Sequence, residues 1–241
     1  MNLLIDSGNT RLKWALVKED GVITSHALIN RLITRQQLLE MWKPLTSPKR
    51  LAIAGVSSTP LLELVLAVIV ELWPTLEIIQ VTAQAHAFGV VNAYQQPEKL
   101  GVDRWLTLVA VRNLYQKPVC IVDCGTAITV DLLDADGNHQ GGLISPGLTL
   151  MKQSLATGTA ALPFNDINYK VGPASFTEAA IYSGTLAAAV GLIEQVLSKQ
   201  SNALSLILTG GDAEIIAAQL NNELIIDREL VLRGLAVVLG V

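Results

Sequence analysis

The chain has 241 residues, of which 51% are hydrophobic and 16% are charged. A chain of this length and hydrophobicity can bury a large core, so intrinsic disorder is excluded. Its 17 basic and 21 acidic residues give a formal net charge of −4 without any basic block, which argues against binding to nucleic acid or to acidic membranes.

The cellular compartment is predicted from the cysteines and the apolar stretches. Cys120 and Cys124 would lie about 13 Å apart in a strand, too far for a disulfide. The longest apolar stretch, residues 61–73, contains two glutamates and is shorter than the roughly 20 residues of a spanning helix. The start, MNLLIDSGNT, lacks the basic region of a signal peptide. We therefore expect a cytoplasmic protein outside the membrane.

The first half of the chain is predicted to open with three strands. Residues 3–18 form two alternating strands around the turn that follows Asp6, and an Asp20-Gly21 turn leads to a third strand over residues 22–29. Further along, apolar periodicity predicts helices over residues 35–43, 60–73 and 101–115, and strands over residues 51–56 and 76–81.

The second half repeats this opening at an offset of 117 residues. Aligned on Asp6 and Asp123, residues 120–133 again give strand, D-x-G turn and strand, and Asp136-Gly137 leads to a third strand over residues 139–144. The remaining predicted elements are helices over residues 146–155, 174–199, 213–220 and 228–239, and a strand over residues 204–209. The duplication predicts an α/β fold of two domains, 1–116 and 117–241. Each would be a mixed sheet with flanking helices, with a ligand cleft between them.

The two D-x-G turns are candidate anion sites. The glycine of Asp6-Ser7-Gly8-Asn9-Thr10 allows backbone N–H groups to form an anion-binding concavity, and Arg11 and Lys13 add a basic strand face. An ordinary surface hairpin with a solvated face is the alternative.

Asp123 ends a strand that reads as buried, where a carboxylate is costly unless it is paired or binds a cation. Together with Gly210-Gly211, the two turns make three glycine-marked turns, as a nucleotide straddling two domains would need. No P-loop, G-x-G-x-x-G, H-E-x-x-H, G-x-S-x-G or kinase H-R-D motif is present.

The segment Gly101-Val102-Asp103-Arg104 opens a predicted helix. The helix dipole favours an anionic Asp103 at this end. A helix-start acid paired at the surface with Arg104 or Lys99 is the alternative. Its position between the two D-x-G copies favours a functional role.

These motifs resemble a known family. The repeat and the later T-G-G-D resemble the acetate and sugar kinase/Hsp70/actin superfamily, whose domains are actin-like (ribonuclease H-like). More narrowly, I-D-S-G-N-T-R-L-K-W, G-V-D-R-W, D-C-G-T-A-I-T-V-D, G-G-L-I-S-P-G and T-G-G-D-A, in this order, resemble type III pantothenate kinase. The resemblance covers essentially the whole chain.

The resemblance implies a reaction and a set of residues. The reaction is transfer of the γ-phosphoryl group of ATP to the terminal hydroxyl of pantothenate, the first step toward coenzyme A. It implies ATP, Mg²⁺ and a monovalent cation, K⁺ or NH₄⁺, bound by Asp123, with Asp6 as a further metal ligand and Asp103 as general base. The implied nucleotide contacts are Asp6, Ser7, Gly8, Asn9, Thr10, Arg11, Leu12, Lys13, Thr126, Gly210 and Gly211. The implied pantothenate contacts are Tyr94, Gly101, Val102, Asp103, Arg104, Gly142 and Thr177.

The resemblance also implies a homodimer with the substrate pocket near its interface. Residues 181–193 are a candidate dimer surface, although they fit a core helix equally well. Two other functions stay open: a related small-molecule kinase, and a catalytically silent regulator of the same fold. Such a regulator would be expected to lack Asp6, Asp103 or Asp123, and all three are present.

Overall fold

The computed structural model describes residues 1–18, 23–55, 60–200 and 204–241. The chain forms two compact units, one of Met1–Gln116 with Glu229–Val241, the other of Lys117–Arg228. The sequence analysis assigned residues 229–241 to the second domain, whereas the structure places them in the first unit.

The elements follow one another in nearly the predicted order. The strands are β1 (Asn2–Ser7), β2 (Arg11–Val17), β3 (Ile23–Ile29), β4 (Arg50–Gly55), β5 (Glu77–Gln80), β6 (His86–Ala87), β7 (Val90–Val91), β8 (Val119–Cys124), β9 (Ala127–Leu133), β10 (His139–Pro146), β11 (Ser205–Thr209) and β12 (Leu224–Ile226). The helices are α1 (Arg35–Trp42), α2 (Pro60–Leu72), α3 (Val102–Leu114), α4 (Leu148–Gly158), α5 (Thr177–Ser198), α6 (Ala213–Ala217) and α7 (Leu230–Leu239). Short 3₁₀ turns cover Asn30–Leu32 and Pro97–Lys99.

Each unit contains a five-stranded mixed sheet of the same topology. The first has the order β3-β2-β1-β4-β5 and the second β10-β9-β8-β11-β12. In both, the opening three strands are antiparallel and the later two run parallel to the central strand. The predicted duplication is confirmed. The Asp20-Gly21 turn lies outside the described residues, whereas the Asp136-Gly137 turn joins β9 to β10 with Gly137 at φ +91°.

The first sheet has helices on two faces. Leu3, Ile5 and Trp14 share a cluster with Trp42 of α1 and Ile69 of α2. Strands expose alternate residues on opposite faces, and the other face is contacted by α7 on β1 and β4 and by α3 on β4.

Helix α7 belongs to the first unit because it packs closely on α3. A methyl group at Gly234 would lie 2.2 Å from the backbone oxygen of Leu106. The two helices therefore approach closely at a residue without a side chain. The sequence pattern showed that α7 is apolar, but it did not show which sheet the helix covers.

The second sheet buries one face against α4, α5 and α6. Val122 and Val130 of the sheet share a cluster with Leu186 and Ile193 of α5 and Ile216 of α6. By length and composition alone α5 could cross a membrane, and 39% of its apolar window is buried within the structure. Ile193 is fully buried, and Ile181 is 9% exposed. Much of the stretch 181–193 is therefore core.

Candidate functional site

The first D-x-G turn is held by Asn30. The side-chain amide of Asn30 donates to the backbone oxygen of Gly8 at 2.8 Å. Its backbone N–H donates to the oxygen of Thr10 at 3.0 Å. Asn9 and Thr10 are exposed at the tip. The turn is thus fixed from one side while its tip faces solvent, which is suited to an anion approaching the backbone.

Side chains of the predicted nucleotide segment alternate between two sheet faces. Asp6 lies directly opposite Lys13 on β2, so a carboxylate and an ammonium group share one face. Ser7 is 5% exposed and Leu12 is fully buried, and a methyl group at Gly55 would lie 3.2 Å from the Ser7 Cβ. Ser7 and Leu12 are therefore inaccessible to a ligand from this side of the sheet.

Helix α3 begins at the predicted Gly101-Val102-Asp103-Arg104 segment. Gly101 is the N-cap, and a methyl group there would lie 2.5 Å from Asp103 Oδ1. That oxygen accepts a hydrogen bond from the Arg104 backbone N–H at 2.8 Å. The carboxylate is exposed and forms no ion pair within the described part of the chain. The surface salt bridge considered for Asp103 is therefore not formed there.

The next residue, Arg104, has the opposite environment. It is 4% exposed, and its Nη1 donates to the hydroxyl of Tyr94 at 2.6 Å. The guanidinium carbon lies 5.5 Å from the centre of the Tyr94 ring, which is a cation–π distance. The structure thus brings together Tyr94 and Arg104, two residues that the resemblance implies as pantothenate contacts.

Asn92 fixes the loop that carries Tyr94. Its side-chain oxygen accepts from the Tyr94 backbone N–H at 3.0 Å. Its amide donates to the backbone oxygens of Gln84 and Pro97 at 3.1 and 3.2 Å. Asn92 was not predicted, because an asparagine that bonds only backbone groups has no recognisable sequence pattern.

The second D-x-G turn is enclosed by two neighbouring loops. Gly147, before α4, donates its backbone N–H to the oxygen of Thr126 at 2.9 Å. A methyl group on Gly147 would lie 2.2 Å from the Gly125 oxygen. Gly210, after β11, has φ +92°, and a methyl group there would lie 2.5 Å from Asp123 Oδ1. The structure therefore brings Asp123, Thr126 and Gly210 together at one edge of the sheet.

Two predicted substrate contacts lie elsewhere in the second unit. Gly142 pairs with Asp131 in the β9–β10 register, and Thr177 is the first residue of α5. Both are exposed. The side chain of Thr177 makes no hydrogen bond within the described ranges, so no contact in this unit ties it to the second turn.

Acidic groups surround the buried thiol beside the second turn. Burial raises the pKa of the Cys124 thiol well above its usual range, and the negative charges of Asp123, Asp212 and Glu214 raise it further. Burial, with the charge of Asp131, raises the pKa of Cys120 to about 12. Both cysteines are free and buried, so they are neutral thiols.

The described residues contain no group of three His, Cys, Asp or Glu side chains able to hold a metal ion. A divalent ion bound mostly by protein ligands therefore does not fit this part of the chain. Mg²⁺ commonly keeps several waters and binds through one or two carboxylates plus substrate phosphates. The carboxylate of Asp6, at the first D-x-G turn, fits this way of binding Mg²⁺ through one carboxylate, phosphate oxygens and water.

A buried acid–histidine pair lies within the second sheet. His139 Nε2 and Asp131 Oδ1 are 2.8 Å apart, and their side chains are 0% and 1% exposed. The sequence analysis identified no partner for His139. The partner is eight residues away across the β9–β10 hairpin, at a β-bulge between His139 and Gly142. Such a spacing carries no sequence signal unless the register is known.

A cavity of about 240 Å³ lies among the helices of the second unit. It was not predicted from the sequence. Its lining includes Leu148, Thr149, Lys152, Tyr182, Thr185 and Asp212. Asp212 directly follows Gly210-Gly211, and its backbone N–H donates to the Cys124 oxygen at 3.0 Å. The cavity therefore opens beside the second D-x-G turn.

Comparison with solved structures identifies the fold. A protein described as a Baf family transcriptional activator from Campylobacter jejuni superposes with a TM-score of 0.63 at 21% identity, covering 99% of this chain and 97% of that one. A protein described as a 2-dehydro-3-deoxygalactonokinase from Sinorhizobium meliloti gives a TM-score of 0.60 at 16% identity, covering 98% and 97%. These likenesses confirm the predicted actin-like α/β fold.

Comparison with protein families narrows the assignment. The family model for type III pantothenate kinase matches residues 2–199. A type III pantothenate kinase of Nitrosococcus oceani is 39% identical over 249 aligned residues, which cover 98% of this chain and 92% of that protein. The chain therefore belongs to the type III pantothenate kinase family.

Proposed function

We propose that the protein transfers the γ-phosphoryl group of ATP to the terminal hydroxyl of pantothenate, giving 4′-phosphopantothenate and ADP in the first step of coenzyme A biosynthesis. Membership of the family supports this reaction, and kinase chemistry requires ATP and a divalent cation. Catalysis of phosphoryl transfer depends mainly on positioning and on stabilising charge. The roles that follow are assigned on that basis.

Asp103 is the general base. Its carboxylate is exposed at the start of α3 and has no cation paired to it in the described chain. It is therefore free to accept a proton. As the substrate oxygen bonds to the γ-phosphorus, its proton passes to Asp103 and the bond from that phosphorus to the β–γ bridging oxygen breaks. ADP leaves with the electron pair. This environment of Asp103 is the observation that carries the proposal.

Arg104 and Tyr94 bind the pantothenate carboxylate or a nearby polar group. A guanidinium group can bind a carboxylate through two parallel hydrogen bonds, and the Tyr94 hydroxyl already orients Arg104 at 2.6 Å. Gly101 and Val102 line the same helix start. Gly142 and Thr177 are assigned to this substrate by family resemblance.

The first turn binds phosphate oxygens. Arg11 and Lys13 supply cationic side chains, backbone N–H groups at the exposed tip of Asn9 and Thr10 can meet the phosphate, and Ser7, Gly8 and Leu12 are assigned to the nucleotide by family resemblance. Asp6 would hold Mg²⁺ together with phosphate oxygens and water, and the ion would neutralise charge on the transferring group. Lys13 lies opposite Asp6 in the strand register, which supports placing both charges at one ligand.

The second turn binds the nucleotide and a monovalent cation. Asp123 would hold K⁺ or NH₄⁺, as the family resemblance implies, and its carboxylate lies at the second turn beside Gly210. Thr126 contacts ATP, and Gly210 and Gly211 lie near the adenosine. Product formed at the same rate without a monovalent cation would remove this role from Asp123.

We also assign a cytoplasmic homodimer. The segment from β10 to α5 exposes several large apolar side chains, including Ile144, Ile167 and Phe176 at 64%, 59% and 50%. Exposed apolar groups of this size are typical of contact surfaces. Ile167→Glu should convert the dimer to a monomer in analytical ultracentrifugation. A wild-type monomer at micromolar concentration would contradict this assignment.

The test of function is product analysis by mass spectrometry with pantothenate, ATP, Mg²⁺ and K⁺. We expect 4′-phosphopantothenate from the wild type and a loss of about 10²- to 10⁴-fold in kcat for Asp103→Asn. Asp136→Asn makes the same chemical change at an exposed acid of the β9–β10 turn and serves as the matched control. A kcat near that of wild type for Asp103→Asn would remove Asp103 from the base role.

A further inference from the structure

Tyr94 lies in a stretch of backbone without regular secondary structure. Residues 92–96 connect β7 to the 3₁₀ turn at Pro97–Lys99, so strand or helix hydrogen bonds do not fix the place of the Tyr94 ring. The ring position matters because the Tyr94 hydroxyl accepts from Arg104 Nη1 at 2.6 Å. The residue that holds this stretch therefore also determines where the Arg104 guanidinium points.

Asn92 is the residue that holds this stretch. Its Oδ1 accepts from the Tyr94 backbone N–H at 3.0 Å, and its backbone N–H donates to the oxygen of Ala85 at 2.9 Å. Both N–H donors of its amide are used by the backbone oxygens of Gln84 and Pro97, at 3.1 and 3.2 Å. Asn92 thus has no donor left for a carboxylate, and its influence on such a group passes through Tyr94.

The far end of the same loop is fixed independently, at the tip of the β6–β7 hairpin. Asn113 Nδ2 donates to the backbone oxygen of Phe88 at 3.1 Å. Arg112 Nε donates to that of Gly89, also at 3.1 Å. Arg112 lies about two turns further along α3 than Arg104, a distance of about 12 Å. The tip is therefore remote from the bond that Arg104 makes, and loss of one anchor leaves the other in place.

We propose that Asn92 is a positioning residue for the acid group of pantothenate and sets the selectivity of the enzyme for a carboxylate at this end of the substrate. The proposal rests on the proposed function, in which Arg104 and Tyr94 bind that carboxylate. A guanidinium group forms two parallel hydrogen bonds to a carboxylate only when its plane is correctly oriented, and the 2.6 Å bond to Tyr94 provides that orientation. Asn92 places the Tyr94 backbone, so its loss lets the guanidinium turn away from the carboxylate.

The experiment compares Asn92→Ala with Asn113→Ala, a matched control that removes an asparagine bond from the same loop at its other end. We expect Asn92→Ala to raise KM for pantothenate about tenfold, the effect of weakening a hydrogen bond to a charged group. Both kcat and KM for ATP should stay close to their wild-type values, because Asp103 is held by α3 and the nucleotide turns lie outside this loop. Asn113→Ala should change none of these constants. An Asn92→Ala enzyme with the wild-type KM for pantothenate would overturn the proposal.

Pantothenol separates positioning from a general structural effect. In this analogue a neutral CH₂OH group replaces the carboxylate, so the gain from an oriented guanidinium is largely absent. Wild type should prefer pantothenate over pantothenol in kcat/KM, and Asn92→Ala should reduce that preference about tenfold. A double-mutant cycle with Tyr94→Phe should show that the two changes are less than additive. Equal losses with both substrates would show that Asn92 only supports the fold of the loop, and would overturn the proposal.

Calorimetry of pantothenate binding without ATP distinguishes this proposal from the kinase assignment. We expect about tenfold weaker binding to Asn92→Ala and wild-type binding to Asn113→Ala. If wild type makes no phosphopantothenate but this pattern is found, the reaction assignment fails and the role of Asn92 stands. Wild-type affinity in folded Asn92→Ala would overturn the role of Asn92 alone. If Asn92→Ala does not fold, Asn92→Ser, which removes both amide donors but keeps an acceptor for the Tyr94 N–H, replaces it in every comparison, and the same outcomes decide.

Discussion

The two D-x-G turns share a topology but are held in different ways. The first is fixed by the side chain and backbone of Asn30, which bond the oxygens of Gly8 and Thr10. The second is enclosed by backbone, since Gly147 and Gly210 approach it so closely that neither could carry a side chain without a clash. A duplicated strand pattern therefore does not dictate how a turn is supported.

The charges beside the two turns also differ. Lys13 lies opposite Asp6, whereas the neutral Thr129 lies opposite Asp123. Deeper in the first sheet, the apolar Ala15 lies opposite Leu4 of β1. The position equivalent to Ala15 in the second sheet is Asp131, which lies opposite Ile121 of β8. Asp131 is paired there with the buried His139. The first unit therefore places an acid and a base together at its turn and apolar residues deeper in the sheet, whereas the second unit buries its acid–base pair within the sheet. Four substitutions test that contrast.

The largest effect is expected at the buried pair. Asp131→Ala should lower the free energy of unfolding by about 3–5 kcal/mol, because it leaves His139 buried without its carboxylate. The double substitution Asp131→Leu/His139→Met should restore much of this loss, since apolar residues can replace a buried pair at little cost. Urea denaturation measures both variants. A double variant as unstable as the single one would show that the pair is needed for more than mutual compensation.

The second largest effect is expected for Gly210→Ala, which should lower the free energy of unfolding by about 2–4 kcal/mol. The positive φ alone costs a side-chain residue about 1–2 kcal/mol, and the clash with Asp123 and the Cys124 backbone adds to it. Gly184→Ala is the control, because Gly184 lies in α5 with nothing within 4 Å of an added methyl group. That change should stabilise by about 0.5–1 kcal/mol. A Gly210→Ala variant as stable as wild type would contradict the enclosed-turn description.

Asn30→Ala tests the first turn. It should lower the free energy of unfolding by about 1–2 kcal/mol, because a partly buried carbonyl loses one side-chain hydrogen bond. It should also raise KM for ATP while leaving KM for pantothenate unchanged, because the turn that binds phosphate loses its side-chain support. Gln36→Ala, which removes an exposed side-chain bond to Glu40 in α1, should change neither constant. An Asn30→Ala enzyme with wild-type kinetics would separate this asparagine from the nucleotide site.

At neutral pH the smallest effect is expected for the cysteines, because their influence on stability is confined to alkaline pH. Burial raises the pKa of Cys120 from 9.0 to about 12, so the folded protein keeps its proton where the unfolded chain loses it. The unfolded state then binds fewer protons, and stability falls as the pH rises from about 9 towards 12. Cys120→Ala should show a weaker decline in melting temperature over this window. At pH 8, both thiols should react with a thiol reagent only after unfolding.

Structural elements that depend on short-range sequence patterns were predicted correctly. The duplicated strands, their turns and the start of α3 at Gly101 follow from alternation, glycine and a helix-start acid within about ten residues of one another. The family resemblance then identified Tyr94 and Arg104 as neighbours in function, and the structure joins them by a hydrogen bond.

Features that depend on long-range packing were not predicted. Asn30, Asn92 and the Asp131–His139 pair have their roles because another loop, helix or strand lies against them. The short β6–β7 hairpin and β12 have too few residues for a periodic pattern. The assignment of α7 to the second domain followed chain order, whereas the contact of Gly234 with Leu106 decides its location.

The return of α7 to the first unit has a consequence for synthesis on the ribosome. Residues 229–241 emerge after the whole of Lys117–Arg228, so the second unit can fold while the first still lacks the helix that covers β1 and β4. During that interval part of one sheet face of the first unit remains uncovered. Although its strands are synthesised first, the amino-terminal unit is therefore the last to be completed. A stalled or truncated nascent chain would present that apolar face to chaperones.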